Sequence, residues 1–178
     1  GASIYDRSLY KNNGAITGAV WTRLPSGLWY LDFDGVDDNV TCTSSFGDIN
    51  FKNQAFALKT WVKFDVVNIW QGFMGITPST AANFGLQWIL SNTGFPLLVW
   101  LRYDSDIAGR VVLTDDTALS ASTWYHIVWT YDGTTSLIYI NGTSMAVTQT
   151  GSGALGQHAG VLWIGKRYDD GASKVDGK

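Results

Sequence analysis

Polarity flips with nearly every residue along much of this chain. From Phe56 to Phe64, one parity carries Phe56, Leu58, Thr60, Val62 and Phe64, and the other carries Ala57, Lys59, Trp61 and Lys63. A strand with one face on a core requires this period of two. The same reading predicts strands near Leu28 to Phe33, Asn39 to Thr43, Trp70 to Ile76, Phe84 to Leu90 and Pro96 to Tyr103. It continues with Val111 to Thr114, Trp124 to Tyr131, Ser136 to Asn141, Ala146 to Thr150 and Val161 to Lys166. Asp34-Gly35, Asn92-Thr93-Gly94, Asp132-Gly133 and Asn141-Gly142 punctuate them with residues that tolerate positive φ at tight reversals. No window holds a 3.6-residue stripe with caps, and Thr117 to Ser122 has room for one helical turn at most. About eleven strands without crossover helices predict an all-β antiparallel two-sheet sandwich or jelly roll. With no repeat or linker in view, residues 1–178 read as a single domain.

Composition narrows the function classes. At 178 residues and 19.5 kDa the chain can bury a sizeable core without metal or disulfide support. Its 12 Lys+Arg against 15 acidic residues give a net charge of -3, which argues against nucleic-acid partners and anionic membrane surfaces. No apolar run approaches the roughly 18 residues that span a bilayer, so membrane insertion is not expected. The lone Cys42 is too few for an intrachain bridge or a thiolate metal site and reads as a small core residue. All 15 acids are Asp, which leaves no Glu for acid–base work.

Four ordered stretches then carry a resemblance. They are Tyr30-Leu-Asp-Phe-Asp-Gly-Val-Asp-Asp38-Asn-Val40, Phe56-Ala-Leu-Lys-Thr-Trp-Val-Lys-Phe64, Trp124-Tyr-His-Ile-Val-Trp-Thr-Tyr-Asp-Gly133 with Leu137-Ile-Tyr-Ile-Asn-Gly142, and Leu162-Trp-Ile-Gly-Lys-Arg167. Their order and spacing resemble laminin G-like domains of the concanavalin A-like lectin/glucanase superfamily, in its pentraxin-related branch. The loop from Tyr5 to Gly18 is similar to the one that precedes the Phe-Asp-Gly strand in that family. The resemblance implies a strand ahead of the Asp6 loop and another after the final Asp-Gly, yet the chain begins almost at that loop and stops at Val175-Asp-Gly-Lys178. Both terminal strands are therefore expected to be missing, which would leave a sheet edge for an oligomer or an edge contact with another chain to cover.

For chemistry, the resemblance points to three places. Glucanases of this superfamily alternate carboxylates along one strand, and no such run exists here; Asp104 and Asp106 have the parity but sit in a turn-like stretch. His126 reads as a packed strand residue, and no Gly-x-Ser-x-Gly elbow is present. Laminin G-like domains often hold Ca²⁺ at a sandwich rim, which implies a ligand set drawn from Asp6, Asp34, Asp37 and Asp176, with Asp38, Asp169 and Asp170 nearby. The competing reading has Asp34 capping its own turn, and Asp37 and Asp38 projecting oppositely if extended.

Sugar recognition needs aromatic faces for pyranose C–H groups and polar side chains for hydroxyls. Trp100 and Arg102 share the parity opposite Leu97, Val99 and Leu101. With Trp70, Trp88, Tyr103, Asp104, Arg167 and Tyr168 they make the expected ligand-binding set, whereas Trp61, Trp124, Trp129 and Trp163 are expected in the core. The expected function is a noncatalytic, lectin-like carbohydrate-binding module of an extracellular, cell-surface or virion-surface protein. A structural or adhesion domain without a sugar site ranks second, and a glycan hydrolase or lyase third.

Overall fold

Alternation becomes strand wherever one parity can be buried, and the computed structural model shows where. It describes residues 2–42, 55–77, 86–90, 97–103, 106–114, 119–150, 161–166 and 174–178. Among them run β1 (Ser3–Ile4), β2 (Gly14–Thr17), β3 (Val20–Arg23), β4 (Trp29–Asp34), β5 (Asn39–Cys42), β6 (Phe56–Lys63), β7 (Gln71–Thr77) and β8 (Leu86–Leu90). The remainder are β9 (Leu97–Tyr103), β10 (Asp106–Thr114), β11 (Trp124–Tyr131), β12 (Ser136–Ile140), β13 (Thr143–Ser144), β14 (Val147–Thr150), β15 (Val161–Ile164) and β16 (Asp176–Gly177). None of the described residues forms a helix long and apolar enough to cross a membrane.

One layer is a nine-stranded antiparallel sheet in the order β1-β2-β5-β15-β7-β8-β9-β10-β14. The other is assembled from β13-β12-β11-β6 and β16-β4-β3. The chain's last residues join these two pieces. Gly177 pairs with Phe33 of β4 on one side and bridges to Phe64, just past β6, on the other. The Lys63 and Lys178 main chains exchange bonds of 2.8 and 2.7 Å, and the Asp65 amide donates to the Asp176 carbonyl at 2.9 Å. The second layer therefore runs β3-β4-β16-β6-β11-β12-β13 without a break.

Between the layers lies an aromatic core. On β6 the inward parity is Phe56, Leu58, Thr60 and Val62, while Ala57, Lys59 and Trp61 face outward. On β11 the inward set is Tyr125, Ile127, Trp129 and Tyr131. Trp88 of β8 meets Trp129 across the layers edge-on, with ring centroids 6.5 Å apart, and packs on Phe73 at 4.9 Å. Phe73 in turn meets Phe64 at 5.7 Å, and Phe56 meets Trp129 at 4.9 Å. Each such ring contributes roughly 1.5–3 kcal/mol by burial, with a smaller gain from edge-to-face geometry.

The termini correct one expectation. Both form short strands: β1 pairs with β2, and β16 lies between β4 and β6. Two-residue strands carry no readable alternation, so the pattern alone could not reveal them. A Cβ on Gly177, whose φ is +154°, would stand 2.1 Å from the Lys63 carbonyl oxygen, so only glycine lets the tail sit this close to β6. The stretch around Asp106, expected as a turn, is the start of β10, with a register shift between Asp106 and Arg110. Asp104 and residues 115–118 lie outside the described residues.

Charge fastens the tail. The Lys178 ammonium lies 3.1 Å from Asp32 and also binds Asp65, which in turn is 3.4 Å from Lys63. Burial pushes the Asp65 carboxyl up, but the Lys178 hydrogen bond and charge, helped by Lys63, outweigh it and hold the group below its ordinary value. A carboxyl lowered by folding adds stability above its unfolded value near ~4, and that stability is lost as pH falls through the folded value. Asp65→Asn should therefore be less stable than the parent near neutrality, and the gap in denaturation midpoint should close as pH falls below the ordinary carboxylate range. A gap independent of pH, measured by urea unfolding, would show that the ion pair does not fasten the tail.

Candidate functional site

The register of the nine-stranded layer assembles one row of side-chain positions. Trp163 on β15 pairs with Gly75 on β7, Gly75 with Gln87 on β8, and Gln87 with Trp100 on β9. The neighbouring row, Leu162–Ile76 and Ile164–Met74–Trp88, packs against the core, so alternation turns the Trp163 row to the outer face. Gly75 contributes no side chain between Trp163 and Gln87, and both Gly75 and Gln87 are buried. The ammonium of Lys166 sits 3.5 Å from the Trp163 ring centroid, a cation–π contact. Trp163 is half-buried and Gln87 fully buried, so this row is recessed rather than a flat platform.

Of the predicted ligand-binding residues, Trp100 falls in this row, and Arg102 follows two positions along β9 with the same parity. Tyr103 closes the strand opposite Asp106. Trp70 is half-buried just before β7, beside Gln71, whose amide bonds the Val66 carbonyl at 2.6 Å and the Asp176 amide at 2.8 Å. It lies five residues along the chain from Gly75 and belongs to the tail end of the strand. Asp104, Arg167 and Tyr168 lie outside the described residues.

Trp88 requires correction. Its position opposite Met74 and Val99 turns it inward, and it is only 1% exposed among Phe73 and Trp129, so it cannot meet a ligand on an open face. The core assignment of Trp61 is corrected in the opposite sense: it is 64% exposed, as its parity with Lys59 demands. Trp124 and Trp163 are half-buried on outward parities, and of the four tryptophans expected inside only Trp129 is sealed. His126, expected to be packed, lies on the outer face and stacks on Trp61 with centroids 5.0 Å apart.

Exposed aromatics gather elsewhere, in a groove of about 570 Å³ between β4 and β6 just past Lys178. Trp29, Tyr30, Leu31, Trp61 and Trp124 line it with Phe33 and Ile164, and Trp21 and Leu28 flank it. Tyr30 and Trp124 meet edge-on at 5.8 Å. Sequence reasoning missed Trp21 and Trp29. The outward parity of Trp61 beside Lys59 and Lys63 was the one available signal.

A third feature is acidic. Oxygens of Asp34, Asp37 and Asp38 lie within 4.8 Å of one another, an arrangement that could hold a cation. Residues 35–37 bend rather than extend, so Asp37 and Asp38 converge instead of projecting oppositely. Asp34 also caps its turn as expected, accepting from the Val36 amide at 2.8 Å, while Asp38 accepts from the Asp34 amide at 2.9 Å. Burial raises the Asp38 carboxyl, and the charges of Asp34 and Asp37 add to the rise. Asp6 stands apart from this cluster. Its two oxygens accept from the Ser8 amide and hydroxyl at 2.7 Å each and from the Asn12 amide at 2.8 Å, which holds the carboxyl below its ordinary value and fixes its own loop. Asp176 is not in the cluster either; burial, then the Asp65 charge, raises its carboxyl.

A family model for the concanavalin A-like lectin/glucanases superfamily matches residues 34–178. The chain belongs to this superfamily. No curated protein matches it. Among solved structures, this superfamily member is similar to domain 4 of AbnA, a GH43 extracellular arabinanase from Geobacillus stearothermophilus in complex with arabinotriose. That likeness has a TM-score of 0.64 at 17% identity and covers 92% of this chain and 77% of that one. The binding domain of Paraclostridial Mosquitocidal Protein 1 aligns at a TM-score of 0.72 and 14% identity, covering 98% of this chain and 45% of that one. Carbohydrate binding module CBM66 from Bacillus subtilis aligns at 0.50 and 12%, covering 92% and 88%. Likeness at these identities establishes the fold, and function has to be argued from the site.

The two corrected indoles give a direct contrast. Trp88→Ala should cost roughly 3–5 kcal/mol of stability, as cavity-forming aromatic truncations do, and Trp61→Ala less than about 1 kcal/mol. Urea denaturation of both variants checks the assignment, and comparable losses would contradict it.

Proposed function

We propose that residues 1–178 form a single noncatalytic carbohydrate-binding module of an extracellular or surface-displayed protein, within the pentraxin-related branch of its superfamily. The observation that carries this reading is the outer-face row Trp163–Gly75–Gln87–Trp100, in which the register sets two tryptophan positions across four adjacent strands. A sugar needs an apolar face to stack on and fixed hydrogen-bonding groups for its hydroxyls. Arg102 and Tyr103, together with Asp104, Arg167 and Tyr168, complete the proposed surroundings, and Trp70 stands outside them. The likeness to a sugar-bound arabinanase domain and to a carbohydrate binding module supports the reading at the level of fold.

Calcium belongs to the same proposal. Three carboxylates are a hard-oxygen set suited to Ca²⁺, with water and carbonyl oxygens supplying the remaining ligands. Asp34, Asp37 and Asp38 would hold the ion and relieve their mutual repulsion. A second reading, adhesion to another protein through an edge contact or a homo-oligomer, is favoured by the exposed aromatic groove beside Lys178.

Titration calorimetry with arabinotriose, backed by a glycan array, tests the sugar site. Trp163→Ala and Trp100→Ala should each weaken binding by about tenfold or more, the scale on which a buried aromatic anchor acts, while unfolding stays cooperative. Binding to no glycan, or binding indifferent to both substitutions, would overturn the proposal. For the metal, added Ca²⁺ should raise the Tm of the parent and leave that of Asp37→Asn unchanged; equal responses would remove Ca²⁺ from this loop.

A further inference from the structure

The loop from Tyr5 to Asn13 joins β1 to β2, whose ladder closes at Ile4–Gly14. Its shape is fixed from inside. The Asp6 carboxylate takes the Ser8 amide and hydroxyl and the Asn12 amide, and Asn13 Oδ1 accepts from the Asp6 amide at 2.9 Å. Ser8 Oγ accepts from the Tyr10 amide at 3.2 Å, and the Asn13 amide donates to the Lys11 carbonyl at 2.8 Å. This frame turns apolar side chains to solvent. Leu9, at the midpoint, is 96% exposed, and Tyr10 and Tyr5 are 75% and 65% exposed. Lys11 holds a φ of +55°, in the left-handed region where a residue with a Cβ is strained. Neither feature stabilises the fold, and the Asp6 network holds both in place. Charge sorts in the same way: Asp6 spends its carboxylate inside the loop, whereas Arg7 and Lys11 are exposed and, among the described residues, in no ion pair. The Arg7 guanidinium lies 5.9 Å from the Tyr5 ring centroid.

We propose that this loop is a membrane-contact site, which seats Leu9 at the boundary between headgroups and acyl chains of an anionic lipid surface without spanning it. This inference is independent of the sugar-binding reading. The size of the apolar patch favours lipid over protein. Tyr5, Leu9 and Tyr10 together can bury on the order of 400 Å², whereas a stable protein interface takes about 800 Å² from each partner. A bilayer needs no complementary shape, so it can bury a single projecting leucine that a protein would have to meet with a fitted pocket. The side chains around Leu9 match the layers of such a surface. Tyrosine rings suit the interface, with an apolar body and a hydroxyl tip. Arg7 and Lys11 can meet lipid phosphates, each adding about fivefold to binding near an anionic surface. The net charge of -3 argues against a membrane partner for the chain as a whole, but it is a sum over all faces. At this loop the balance is two free cations against one committed carboxylate. Because the loop is already ordered, contact with lipid costs it little further entropy.

Flotation of the full chain with vesicles tests this, using phosphatidylcholine alone and an equal mixture of phosphatidylcholine and phosphatidylglycerol. The chain should float with the mixed vesicles, and less with phosphatidylcholine alone or at raised salt. Leu9→Ser should weaken partitioning to the mixed vesicles by about tenfold, the scale set by burying one leucine, and Leu9→Phe should retain it. Arg7→Gln combined with Lys11→Gln should reduce it to the level seen on phosphatidylcholine. Leu9 stands outside the core cluster, so Leu9→Ser should unfold at the parent's Tm. Absence of flotation with the mixed vesicles, or flotation indifferent to Leu9→Ser, would overturn the proposal. Self-association that depends on Leu9 in lipid-free sedimentation would assign the loop to a contact between copies and contradict the membrane site.

Discussion

Seating Asp176–Lys178 between β4 and β6 is the constraint on which the second layer depends. β4 and β6 are more than twenty residues apart in sequence and share no direct ladder; they become neighbours because the tail bonds to both. The loop-closure entropy of bringing the far end of the chain back has to be offset by those bonds and by the burial they permit. Phe64 and Val175 are sealed at this seam, and Phe33 is nearly so, while Lys178 crosses it to meet Asp32 and Asp65. Loss of the seam would expose the aromatic core from one end.

Much of this architecture was legible because a half-buried strand writes its geometry into parity. Phe56–Lys63 and Trp124–Tyr131 alternate as read, and they pair residue for residue from Trp124–Lys63 to Tyr131–Phe56. The expected large-sheet strands from Asn39 to Ile164 are present within a residue or two of their bounds, except β10, which starts at Asp106 rather than Val111. Illegible from sequence were strands held by tertiary pairing alone. β1 and β16 are too short to show a period, and β3 is mostly exposed on both parities. Residue type also misled where it competed with position. Trp61 was assigned to the core because indoles are usually buried, although its own parity places it outside; Trp88 was assigned to a surface although it opposes Met74 on an inward row.

Those two exchanges redraw the candidate surfaces. On the large sheet, the register sets Trp163, Gly75, Gln87 and Trp100 in one row of the outer face. On the other layer, Trp29, Trp61 and Trp124 line a largely apolar groove beside Lys178. Chemistry separates them: a hydroxyl-rich ligand needs polar partners beside an aromatic face, which the groove scarcely offers. The acidic turn at Asp34, Asp37 and Asp38 is a further element, in which crowded carboxylates would gain from a cation. One scaffold can carry all three because each rests on a different face or rim of the same two layers.

Nine tryptophans give this chain nine indole N–H signals, and their response to ligand reads the central claim position by position. Two-dimensional ¹H–¹⁵N NMR with assigned indoles and increasing arabino-oligosaccharide is the most direct measurement. The account predicts progressive shifts at Trp163 and Trp100, with Trp29 and Trp61 unmoved. Shifts confined to Trp29 and Trp61, or no shift at any indole, would contradict it.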